Sequence, residues 1–116
     1  MTQPLVSNAA DQTQVKRAKQ REKTTREQVL NDLRTVLSTR QGRRQMWRTL
    51  SECGVFRLSF VPGDHARTDF NEGRRSIGLG LMADLHDLDP SLYLTMATEA
   101  ATDEAIIAPA PSHTEE

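Results

Sequence analysis

Apolar residues recur at three- and four-residue steps along this chain, and that spacing restricts what it can fold into. Val29, Leu30, Leu33, Val36 and Leu37 form one set, and Met46, Trp47, Leu50 and Cys53 a second. Phe70, Ile77, Leu81, Leu85 and Leu88 form a third, and Leu92, Tyr93, Met96 and Ala100 a fourth. Steps of three and four bring side chains to one face of an α-helix. Only residues 55–60 alternate as a strand would, and a lone strand has no partner to pair with. An extended loop that pins aromatic rings onto the helices is expected there instead. The fold class is therefore all-α: a long basic N-terminal helix, a compact bundle of about three shorter helices, and disordered termini.

Local signals place the boundaries. Residues 1–12 are polar without periodicity and are expected to be disordered. A helical domain then spans 13–101, made of a basic arm over 13–28 and a core over 29–101, with the first helix ending near residue 37. Ser38 and Gln41 have the spacing of a capping box, with Thr39 as the alternative cap, and Gly54 is the expected stop after Cys53. Val61, Pro62 and Gly63 begin a turn that runs into a surface loop carrying an exposed His65. Thr68 and Asp69 are expected to open the third helix, with Asp69 and Glu72 at the cap and N3 positions. Gly73, Gly78 and Gly80 each cost that helix about 1 kcal/mol relative to Ala. Gly73 and Gly80, on one face, are the expected points of close backbone approach. Asp89 and Pro90 suit the cap and first position of a last helix reaching about residue 101. The tail, 102–116, is acidic, then rich in Ala and Pro, and is expected to be disordered.

The core must be small. Hydrophobic residues make up 36% of the chain, and the aromatics are limited to Trp47, Phe56, Phe60, Phe70 and Tyr93. Trp47, Leu50, Phe56, Phe70, Leu81, Leu85 and Tyr93 are the expected core anchors. A core of this size is marginal alone, so docking or assembly into a homo-oligomer is expected to complete it. The single cysteine, Cys53, excludes an internal disulfide and reads as a buried small residue. Asp84, His86 and Asp87 lack a metal-ligand spacing, and no nucleophile has a base beside it. The expectation is a non-enzyme with no cofactor and no metal. No apolar run is long enough to cross a membrane, and the first eight residues lack the basic and apolar regions of a signal peptide.

Charge is divided along the chain. Residues 14–52 hold eleven Lys and Arg against four acids, residues 53–116 four against eleven, for a net charge of −1 overall. The arm contributes Lys16, Arg17, Lys19, Arg21, Lys23 and Arg26, which would suit either an acidic protein surface or nucleic acid. A solvated helix with local pairs, such as Glu22 with Arg26, is the plainer reading.

One short element occurs twice. Gly42-Arg43-Arg44 returns as Gly73-Arg74-Arg75, each just inside a helix start. The positive end of a helix is a poor place for Arg unless an anion meets it. That anion is a carboxylate of this chain, with Glu52, Glu72, Asp84 and Asp87 as candidates, or one on a partner, or a phosphate. Arg40, Arg44 and Arg48 line one face at four-residue steps, with Arg43 beside them. Arg40, Arg43, Arg44, Arg48, Arg74 and Arg75 are therefore the candidate partner- or phosphate-binding residues.

Thr39-Arg40-Gln41-Gly42-Arg43-Arg44 with Trp47 and Glu52-Cys53-Gly54-Val55-Phe56, then Phe70-Asn71-Glu72-Gly73-Arg74-Arg75 and Asp89-Pro90 with Tyr93, resemble a family of small tailed-bacteriophage proteins. The similarity covers about residues 28–100. The resemblance implies a gene in the virion-morphogenesis block, near portal, scaffold and capsid genes, and no catalytic residues. The resemblance implies context and fold, not mechanism; the first functional reading is a virion-associated or assembly protein that docks on portal, scaffold or capsid through its arginine-rich helical surface. Such a protein would reside in the virion, or in the host cytoplasm during assembly. The alternative is a nucleic-acid-binding accessory protein for genome packaging or an internal head protein, with DNA as partner. A blocker of a host factor is a third reading.

Overall fold

A computed structural model describes residues 5–107, with side chains from residue 9 onward. It contains four helices: α1 (Leu5–Val36), α2 (Arg40–Glu52), α3 (His65–Leu88) and α4 (Leu92–Ile107). No strand forms among the described residues, and residues 55–60 are irregular, as the missing partner strand requires.

The helices are longer at both ends than composition suggests. Residues 5–12 continue α1: with no Gly or Pro to stop it, the helix begun at the good formers from Gln14 onward extends by adding one hydrogen bond per residue. Residues 102–107 continue α4, where Asp103 is held by arginines of α2. Residues 1–4 and 108–116, also expected to be disordered, lie outside the described residues.

Caps explain the junctions. Thr39, not Ser38, is the N-cap of α2, and its hydroxyl accepts from the Gly42 N–H at 3.0 Å. Its neighbour Ser38 instead donates to the Thr35 carbonyl. At the other end of α2, Gly54 N–H donates to Ser51 O and Val55 N–H to Leu50 O, the paired bonds of a Schellman stop. Gly54 takes the positive φ of 77° that this stop requires. Helix α3 begins four residues earlier than Asp69: Asp64 is its cap and accepts from Arg67 N–H at 2.9 Å. The turn before it is closed by Asp64 N–H to Val61 O, with Gly63 at positive φ. Asp89 and Ser91 form the turn into α4, which starts at Leu92, two residues later than Pro90.

Leu37, Leu50, Leu85 and Met96 form the fully buried centre, one from each helix or its edge. Leu33, Met46, Trp47, Val55, Leu81, Met82, Leu88 and Leu92 surround it. Trp47 stacks on Phe56 at 4.9 Å and lies 5.8 Å from Tyr93, so the 55–60 loop does pin an aromatic onto the helices. Phe56 and Tyr93 remain about two-fifths exposed, making them the rim of the core rather than its interior. Two residues assigned to the α3 stripe face away from it: Phe70 is 60% and Ile77 66% exposed. Spacing links Phe70 and Ile77 to the stripe, but the face that packs is the one carrying Gly78 and Leu85.

Gly78, rather than Gly73 or Gly80, is the point of close approach. A Cβ there would lie 2.4 Å from Val55 Cγ1 and 2.7 Å from Cys53 Cβ, whereas at Gly73 and Gly80 it would meet nothing. Helix α2 packs on α4 and α1 on α3, with α3 touching both α2 and α4. The radius of gyration is 22.5 Å, against about 13 Å for a compact chain of this length. The excess comes from α1, whose first half leaves the bundle.

Candidate docking surface

The first Gly-Arg-Arg sits where α1, α2 and α4 meet. Gly42 approaches the end of α1 so closely that a Cβ would fall 1.6 Å from Val36 O. The next residue, Arg43, reaches across to α4. Its Nε and Nη2 each donate to a different oxygen of Glu99 at 2.9 Å, and its Nη1 donates to Leu37 O at 3.0 Å. A bidentate guanidinium–carboxylate pair fixes orientation as well as charge. Arg40 Nη2 and Arg44 Nε donate to the two oxygens of Asp103, at 2.8 and 3.2 Å.

Ionisation follows this geometry. The hydrogen bond from Arg43 holds the Glu99 carboxyl below its ordinary range, against the opposing effect of burial. Arg40, and then Arg44, do the same for Asp103. The Arg43 guanidinium is raised in turn by Glu99. The anion that meets the α2 arginines therefore belongs to α4 of this chain. The expected internal partners were Glu52, Glu72, Asp84 and Asp87; Glu99 and Asp103 take that place.

The second Gly-Arg-Arg does a different job. Arg74 donates to the Glu52 carbonyl at 3.0 Å and to Asn71 Oδ1 at 3.1 Å, and its guanidinium lies 5.1 Å from the Phe70 ring centre. Arg57 reaches the Ser51 carbonyl at 3.4 Å. Both supply donors to carbonyls at the end of α2, Arg57 adding a second donor to the Ser51 carbonyl that Gly54 N–H already meets. Arg75 makes no ion pair among the described residues, and its buried Nε is without a partner. Glu72 accepts from the Ser59 hydroxyl.

Arg26 is tied down as well. It donates to Asp84 at 2.6 Å and to Asp87, and these bonds raise its pKa. The local Glu22–Arg26 pair is replaced by this contact with α3. Arg26 thereby marks the root of the arm rather than a free contact residue. Beyond it Lys16, Arg17, Lys19, Arg21 and Lys23 are exposed, and none pairs with a carboxylate among the described residues. Among the described residues Arg48 bonds to Gln45 alone and is the one cation of the α2 stripe without a carboxylate.

A cleft of about 370 Å³ lies between α2 and α4, floored by Trp47 and Met96 and edged by Arg44, Arg48 and Glu104. No nucleophile–base pair lines it, and among the described residues no group of His, Cys, Asp and Glu could hold a metal ion. His65, exposed as expected, opens α3.

The family model described as Bbp19-like phage protein matches residues 27–98. The chain belongs to that family. Neither a curated protein nor a solved structure matches it. The match spans the four-helix junction and both Gly-Arg-Arg elements, and lies within about two residues of the expected 28–100. The basic arm and Asp103 fall outside it. No helix among the described residues is long and apolar enough to cross a membrane.

Proposed function

We propose that this phage protein is a non-enzymatic assembly or virion-associated component that docks through its arm on an acidic surface of another phage structural protein, of the portal, scaffold or capsid type. One observation carries the reading. Arg40, Arg43 and Arg44 are neutralised within the bundle, whereas five cations on a projecting helix are exposed without carboxylate partners among the described residues. The docking charge therefore passes from α2, where the sequence suggested it, to α1. The setting is the virion, or the host cytoplasm during assembly.

The test is cross-linking and titration of the purified protein against each structural protein of the phage. Charge reversal of Lys16, Arg17, Lys19, Arg21 and Lys23 to Glu should abolish capture and leave the helical signal unchanged. Capture that survives the reversal refutes docking through the arm.

DNA is the second reading, favoured by the placement of the arm cations. Lys16, Lys19 and Lys23 share one face over about 10 Å, and Arg17 and Arg21 share the next. Five phosphate contacts would give binding to a duplex oligonucleotide a slope of about −4.5 against log salt. A flat salt response removes this reading.

A further inference from the structure

The face of α3 turned away from the bundle carries Phe70, Gly73, Ile77 and Gly80 at steps of three, four and three. Phe70 and Ile77 are 60% and 66% exposed, and a Cβ on either glycine would meet nothing within 4 Å. Two glycines inside a helix are costly. Gly78 is accounted for by its close contact with Cys53 and Val55; Gly73 and Gly80 have no such contact among the described residues. Large residues alternate with absent side chains along one exposed line, which is half of a knobs-into-holes seam.

The order of the residues says what the other half is. Laid parallel in register, two copies would set Phe70 on Phe70 and leave facing gaps at Gly73. Laid antiparallel and centred level with Arg75, they set Phe70 against Gly80 and Ile77 against Gly73, and the two-fold axis repeats both pairings. All four positions are then filled large on small. The seam ends at Asp84, whose carboxylate is committed to Arg26. Arg74 is turned back onto Phe70 and the Glu52 carbonyl, which keeps its charge off the axis.

We infer that two copies of this chain pair through α3, antiparallel, with Phe70 seated on Gly80 and Ile77 on Gly73 of the other copy. The pairing is independent of what the arm binds. The paired positions span about 15 Å of a single helix face, a small contact, so association is expected to be weak, in the micromolar range.

Sedimentation equilibrium of the full chain across roughly 1–500 µM tests this. The wild type should populate a dimer. Gly80→Phe sets ring against ring twice per dimer and should weaken association at least about tenfold; Phe70→Ala removes both knobs and should weaken it comparably. Their combination, Phe70→Ala with Gly80→Phe, exchanges knob and hole and should return association to within about threefold of wild type. Circular dichroism on each variant confirms that the helices persist. A wild type that stays monomeric overturns the pairing, even if Phe70→Ala costs it capture of a different phage protein. So does a Gly80→Phe dimer as tight as wild type, or an exchange variant that fails to recover.

Discussion

Alanine at Gly42 is the sharpest test of how the bundle is joined. The new methyl would stand 1.6 Å from Val36 O and 2.8 Å from Val36 C, and both are backbone atoms. No rotamer change can relieve that, so the turn between α1 and α2 must open. Opening it removes the Thr39 cap, worth about 1 kcal/mol, and forces a misfit of the overpacking kind, about 1–3 kcal/mol. The better helix propensity of Ala returns about 1 kcal/mol. A net loss of about 1–3 kcal/mol follows, which is on the order of 5–20 °C in Tm for a domain of this size. Gly73→Ala, with nothing within 4 Å of the added atom, should instead gain about 0.5–1 kcal/mol. Urea and thermal unfolding, followed by circular dichroism at micromolar protein, read both. A Gly42→Ala variant as stable as wild type, or a destabilised Gly73→Ala, would refute the reasoning. Opposite signs from the same substitution exclude any explanation from propensity alone.

Trp47→Ala removes the ring stacked on Phe56 and packed on the core, so a loss of about 3 kcal/mol is expected in denaturant unfolding; an unchanged midpoint would place Trp47 outside the core. The folded-state pKa values of Glu99 and Asp103 are depressed, so each contributes stability that is fully present above its unfolded value and is lost as pH falls through the lower folded one. Tm should hold from neutrality to about pH 5, then drop below about pH 4.5, and Glu99→Gln should lower the plateau and shallow the drop. Asp84→Asn with Asp87→Asn frees Arg26 from α3, so amide exchange over residues 20–30 should quicken while global unfolding moves little. Uniform destabilisation instead would show that this contact holds the bundle as well as the arm.

Periodicity gives the number of helices because it acts within a few residues. Cap chemistry marks the Gly54 stop and the end of α3 before Asp89, and it offers Thr39 beside Ser38; the outer ends of α1 and α4 and the start of α3 fall elsewhere than composition and caps suggest. Asp64 serves two elements at once, closing the Pro62-Gly63 turn and capping α3, and the turn signal masks the cap. The arginine partners were harder. Glu99 and Asp103 lie 56 to 63 residues from the arginines they hold, and ending α4 at residue 101 took Asp103 out of consideration. A usable signal did exist: Arg40 and Arg44 are four apart, as are Glu99 and Asp103, so two facing helices can match charge at each turn. Phe70 was misplaced because its spacing to Ile77 is helical whichever side the helix turns toward the core. Spacing tells that residues share a face, and only the contacts of Gly78 tell which face packs.

The two Gly-Arg-Arg elements look like a repeat, yet their glycines separate them. Gly42 is sterically required, and the adjacent Arg43 bonds Glu99; Gly73 is not required by anything among the described residues, while the neighbouring Arg74 donates to the end of α2. A duplicated binding motif would present both arginine pairs to one outside anion. Here both motifs have turned inward, and each ties α2 to a different helix at a different end. Replacing Arg43 and Arg44 together by Ala should therefore lower Tm and loosen α2 from α4, since Glu99 and Asp103 would lose charged partners in a partly buried setting. Capture of a structural protein through the arm should survive at temperatures where the variant remains folded. Loss of capture with an unchanged Tm would reverse the assignment and return the binding surface to α2.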